Sequence, residues 1–160
     1  MKKILFGIIA GVLVATAVLG RLVAHPAVNF VATVPGTAGF GVAFVAEVVI
    51  SFGLMTAVLV VSNIEPIARF TGVCAGALVA TYIALEAPLS GMSMNPARTF
   101  GSALPAHEWA GLWIYFIAPP LGMLLAAETY VRLKGAAAVR CAKLHHQSSK
   151  RCIFCLGRES

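Results

Sequence analysis

The sequence predicts an all-α membrane protein: four transmembrane helices and one short re-entrant half-helix. Three observations point there. Of 160 residues, 59% are hydrophobic and 11% charged, where soluble domains run at about 45–50% and about 25%; the mean hydropathy is +0.89. Four apolar runs approach or reach the roughly 20 residues that carry a helix across a hydrocarbon core. Between the third and fourth lies a run too short to cross and too apolar for an ordinary exposed loop. Disorder is excluded, because it needs low hydrophobicity, and four cysteines are too sparse for a disulfide-stapled mini-protein.

The first span is expected from Ile4 to about Val23, uncharged until Arg21. Lys2 and Lys3 before an apolar run also fit a signal peptide. The only clear small-x-small triplet, Ala15-Thr16-Ala17, is followed at once by more apolar residues, so the segment is read as a span that stays. Pro26, Pro35 and Gly36 make residues 24–40 a turn-rich loop. The second span is expected from about Gly41 to Asn63 and carries Glu47. The third runs from about Ile67 to Leu85. The fourth runs from Trp109 to about Val131, with Pro119-Pro120 expected to kink it. Gly7 with Gly11, and Gly72 with Gly76, have the spacing that lets membrane helices approach closely. Glycine is also simply common in such helices, and the spacing alone does not choose.

Residues 1–131 thus read as a transmembrane domain and 132–160 as a basic tail. Four spans put both termini on one side. That side carries Lys2, Lys3, Arg69 and the seven basic residues of the tail; the other carries Arg21 and Arg98. The asymmetry places both termini in the cytoplasm. Trp109 and Trp113 then suit an outer aromatic belt and Tyr130 an inner one. The rule explains the basic tail without a nucleic-acid partner, and its lysines and arginines can touch anionic membrane lipid.

The short run spans Ser90 to Pro105. Asn95 is a good N-cap, Pro96 suits the first helical position, and Pro105 is expected to stop the helix. Ten residues make a rod about 15 Å long, half the hydrocarbon thickness. Its first backbone N–H groups lack helical partners and carry positive partial charge. At mid-membrane they must line a polar cavity. An amphipathic surface loop is the other reading of the same residues.

Ser-Gly-Met-Ser-Met-Asn-Pro-Ala-Arg-Thr-Phe-Gly, at 90–101, resembles the second signature of the aquaporin, or major intrinsic protein, family. Phe44-Val45-Ala46-Glu47 resembles that family's fourth helix, Asn63–Arg69 its cytoplasmic loop, and the segment after Leu104 its sixth helix. The resemblance covers about residues 4–131 and implies the third to sixth helices of such a channel, with a re-entrant half-helix. His25-Pro26-Ala27 is not the family's first signature. About ten residues separate Phe30 from Gly41, too few for the span that would have to follow it.

The resemblance implies roles. Asn95 would offer its side-chain amide to a passing solute, Pro96 and Ala97 would fix the half-helix start, and Arg98 would stand at the outer constriction. Positive half-helix ends and such an arginine exclude protons and cations in aquaporin-type pores generally. Glu47, a membrane carboxylate costing roughly 2.5–3.5 kcal/mol on insertion scales, would hold the re-entrant backbone. The filter departs from the water-selective pattern. Ile83 stands 15 residues before Arg98, where a histidine is usual, and Met92 stands six before. A more apolar constriction admits small uncharged solutes beside water.

The implied function is passive permeation of water or small neutral solutes such as glycerol, by a truncated product, by copies or complementary halves that close a pore together, or not at all in a degenerate form. The family's homo-oligomers make further copies expected partners. A second function class lies in the tail. Cys141, His145, Cys152 and Cys155 could hold zinc or sense redox state, although a second Cys-x-x-Cys is missing; otherwise no cofactor is expected. No Gly-x-Ser-x-Gly, phosphate-binding glycine loop or His-Glu-x-x-His occurs, so an enzyme is not expected. Glu86 and Glu108 read as solvated loop acids.

Overall fold

The computed structural model describes Val14 and residues 17–135, with Arg21 known by its backbone alone. The first expected span therefore lies almost wholly outside the described residues. What is described is all-helical. Three segments are long and apolar enough to cross a membrane: α1 (Phe40–Ser62), Ala68–Leu85 and α4 (Leu112–Lys134). The middle one opens with a tight turn, Ala68–Phe70, and continues as α2 (Thr71–Leu85). Between α2 and α4 lie a single helical turn, Ala87–Ser90, and the half-helix α3 (Pro96–Ala106).

Apolar side chains surround α1, as expected where lipid and protein are equally apolar neighbours. Its end is marked by Asn63, whose Nδ2 donates to the Leu59 carbonyl at 2.7 Å and so satisfies a last-turn acceptor. At the start of α2, Thr71 Oγ1 donates to the Ala68 carbonyl at 2.7 Å. Pro105 does not stop α3, which runs on to Ala106. A proline in the last turn removes one ladder bond and then forces an exit. His107 turns left-handed (φ 55°), and Glu108 N–H folds back to the Ala103 carbonyl at 3.1 Å. Likewise α4 continues unbroken through Pro119-Pro120.

The main packing is α1 against α4, around the buried cluster Ala43, Ile114, Tyr115 and Ala118. At Gly122 the two backbones approach closely: a Cβ there would overlap the Val48 carbonyl oxygen and stand 3.0 Å from the Phe52 nitrogen. The Gly72/Gly76 pair plays no such part among the described residues, since a Cβ on either meets nothing within 4 Å. Gly7 and Gly11 lie outside the described residues. Thr71 is the sole fully buried residue of α2. A second buried cluster, Ile50, Met92 and Met94, ties α1 to the segment before α3.

Candidate functional site

The segment Gly91–Asn95 is held open in a backbone conformation that side-chain-bearing residues seldom adopt. Gly91, Met92 and Met94 have φ of 77°, 48° and 50°. Left-handed backbone costs a non-glycine residue roughly 1–2 kcal/mol, so something must repay it. The repayment is Glu47, fully buried in α1. Its Oε1 accepts Ser93 N–H at 2.6 Å and Ser90 Oγ–H at 2.8 Å, and its Oε2 accepts Met94 N–H at 2.8 Å. Three donors solvate a carboxylate that lipid would not.

From Gly91 to Thr99 every backbone N–H has a partner, which membrane burial demands. Gly91 donates to the Ala87 carbonyl at 2.8 Å and Met92 to Ser90 Oγ at 3.1 Å. Ser93 and Met94 donate to Glu47. Asn95 donates to Ser93 Oγ at 3.2 Å, Pro96 has no N–H, and Thr99 donates to the Asn95 carbonyl at 3.1 Å. The remaining two, Ala97 and Arg98, donate to Asn95 Oδ1 at 2.9 and 3.3 Å. The half-helix start therefore exposes no bare N–H; the cap consumes them. What faces outward instead is Asn95 Nδ2, a two-proton donor that meets no acceptor among the described residues. Its donor strength is raised because its own oxygen accepts twice.

Arg98 is exposed one helical turn on. Its Nη1 donates to the Met92 carbonyl and, at 3.3 Å, to Thr33 Oγ1 in the loop before α1. Met92 takes a different part from the one its position suggests. Its side chain is 4% exposed and packs with Ile50 and Met94, so the backbone carbonyl rather than the thioether meets Arg98. The left-handed turn at Met92 causes that inversion. Ile83, on α2, is 54% exposed and open to whatever covers that helix. Pro96 and Ala97 occupy the first two positions of α3.

Several supporting residues carry no mark in the sequence beyond their neighbourhood. Tyr115 Oη donates to the Ser90 carbonyl at 2.6 Å, bracing the single turn against α4; a tyrosine inside an apolar span does need such a partner. Ser93 and Thr99 hydroxyls share a hydrogen bond across the half-helix start. The loop before α1 meets the turn Ala87–Ser90 at Gly36 and the start of the segment at Gly91. Gly36 N–H donates to the Leu89 carbonyl at 2.9 Å, and a Cβ at Gly36 would overlap the Pro88 carbonyl oxygen. At Gly91 a Cβ would stand 2.9 Å from the Val34 carbonyl oxygen and 3.1 Å from Thr33 Cγ2.

Glu86 corrects an expectation. It is 7% exposed, not a solvated loop acid, and neither carboxylate oxygen has a hydrogen-bond partner among the described residues. It forms part of the wall of an otherwise apolar groove of about 660 Å³ along Val42, Val45 and Val49 of α1. Burial raises its pKa above the usual carboxylate range; neighbouring Ser90, close by without a well-formed hydrogen bond to the carboxylate, opposes the rise and nearby Glu47 adds to it. Glu108 is half-buried. Cys141, His145, Cys152 and Cys155 lie outside the described residues.

Residues 3–130 match the model of the major intrinsic protein family. Among curated proteins, the chain is 37% identical over 122 residues to "Aquaporin NIP6-1" of Arabidopsis thaliana, covering 76% of this chain and 40% of that one. It is 38% identical over 128 residues to "Aquaporin NIP3-1" of Zea mays, covering 79% and 42%. To "Aquaporin NIP2-1" of Oryza sativa subsp. japonica it is 34% identical over 125 residues, covering 78% and 41%. The chain thus spans about two fifths of the length of the curated relatives it matches.

Proposed function

The chain belongs to the major intrinsic protein family and is an integral, multi-pass membrane protein; on that premise we propose that it forms one wall of a passive pore for water and small uncharged solutes. One observation carries the reading. The re-entrant segment satisfies all its own N–H groups and leaves Asn95 Nδ2 and the Arg98 guanidinium as outward donors, one turn apart on the same half-helix. A solute with acceptor oxygens can pass from one to the other, exchanging hydrogen bonds without meeting a bare charge of opposite sign. The positive half-helix end and Arg98 repel cations. Ile83 and the withdrawn Met92 side chain leave the passage less polar than a histidine would, which suits glycerol-like solutes beside water.

In this reading, protein outside residues 17–135 closes the open side along α2, whether from a longer polypeptide, a further copy or a complementary half. The excess of basic residues supports a cytoplasmic tail, and four spans would put the other terminus on the same side. The experiment is osmotic shrinkage of proteoliposomes holding the full chain, with water and with glycerol, beside Arg98→Val. Permeation above that of empty liposomes, changed by the substitution, is the expected result. Permeation equal to empty liposomes, from folded and inserted protein, overturns the claim for this chain.

A further inference from the structure

Arg98 has five N–H donors, and the structure uses two of them. Both protons of Nη1 are taken: one by the Met92 carbonyl, inside the family signature, the other by Thr33 Oγ1, 65 residues earlier in the chain. Nε and Nη2 have no partner among the described residues. A guanidinium is planar and rigid, so holding one corner in two directions fixes the plane and decides which edge is offered outward.

Thr33 is well placed to do this. It is 4% exposed although it belongs to a loop. Its position is set by the crossing at Gly36 and Gly91, where the loop backbone and the start of the re-entrant segment touch without intervening side chains. The turn at Asn29–Val31, just before Thr33, packs on α3, the helix that carries Arg98. Loop and half-helix are therefore packed directly together at this point, and among the described residues the hydroxyl is the only polar contact with the guanidinium from outside the signature.

We propose that Thr33 is a specificity-determining positioning residue: its hydroxyl orients Arg98 so that Nε and Nη2, and not Nη1, meet the solute. The inference rests on the reading of Arg98 as a pore donor. Thr33→Val keeps the shape and removes the acceptor, and Thr33→Ser restores it.

Two readouts separate the failure of this inference from failure of that reading. In ¹⁵N-arginine NMR of the full chain in micelles, with Arg98→Lys for assignment, the wild type gives a resolved Nη1 signal of hindered rotation. Thr33→Ser keeps that signal and Thr33→Val loses it. A Thr33→Val spectrum identical to wild type overturns the inference, whether or not the chain conducts. In proteoliposomes the glycerol-to-water permeability ratio of Thr33→Val shifts by about tenfold, the size of one hydrogen bond to a charged group. In an Arg98→Val background the same substitution adds nothing. A shift that persists there means Thr33 acts independently of Arg98, which also overturns it. An unchanged ratio in Arg98→Val itself refutes the pore-donor reading, and the spectra still decide Thr33.

Discussion

Glu47 Oε1 and Oε2 accept the consecutive backbone N–H groups of Ser93 and Met94 at 2.6 and 2.8 Å, so one carboxylate on α1 shapes a segment more than 40 residues away. The pairing is what makes a left-handed, non-helical backbone tolerable in a membrane. It also ties the start of α3 to a helix that packs along α4.

Glu47→Gln keeps the shape but has only one acceptor oxygen, so its amide N–H₂ faces one of the two loop donors. Leaving a buried donor unsatisfied costs about 1–3 kcal/mol. A lowered melting midpoint for Glu47→Gln in detergent, and a lower one for Glu47→Ala, is the expected series. Equal midpoints for all three would remove the carboxylate from its role as the segment's scaffold.

Asn95 caps α3 with its side-chain oxygen, and in the proposed pore its amide meets the solute; substitution can separate the two. Asn95→Ser keeps a cap oxygen but has no amide, whereas Asn95→Ala loses both. The alanine variant should lose about 1 kcal/mol of stability, the usual worth of an N-cap, and the serine variant much less. Water flux through proteoliposomes should fall in both. If serine conducts like asparagine, the amide protons are not what the solute uses.

Close approach, not glycine content, sets which glycines matter. Gly122→Ala and Gly36→Ala each drive a Cβ into a backbone carbonyl oxygen and should destabilise the fold. Gly76→Ala, with open space around it and a helix to favour, should be neutral or stabilising by up to ~1 kcal/mol unless a partner covers that face. Thermal melts of the three variants at equal protein concentration check this order. Stabilisation of Gly122→Ala would contradict the α1–α4 crossing.

Glu86 sets a pH dependence whose sign follows from its raised pKa. The folded chain holds the proton to a higher pH than the unfolded one. Stability is therefore greatest below the ordinary carboxylate pKa and declines as pH rises through the folded value. Glu86→Gln abolishes that decline. Melting midpoints from pH 4 upward should fall for wild type and stay flatter for the glutamine variant. Parallel curves would mean that the carboxyl is solvated after all.

Much of this was readable from local chemistry. A run of apolar residues long enough to cross a bilayer is a property of that run, and α1, α2 and α4 fall within a few residues of where their composition places them. Asn95 before Pro96 signals a helix start because capping involves atoms only two or three residues apart. What the sequence does not contain is direction. Whether Met92 shows its thioether or its carbonyl depends on the sign of φ at Met92, and that sign is held by Glu47 on another helix. Whether Glu86 is wet depends on its packing against α1, which buries an acid that reads like any loop carboxylate. Thr33 looks like a turn residue until Gly36 and Gly91 bring its loop against the half-helix. Length, hydropathy and caps act over one to four residues and so survive in the sequence. Orientation, burial and the pairing of Arg98 are decided across 40 to 65 residues, where only the folded backbone says which donor meets which acceptor.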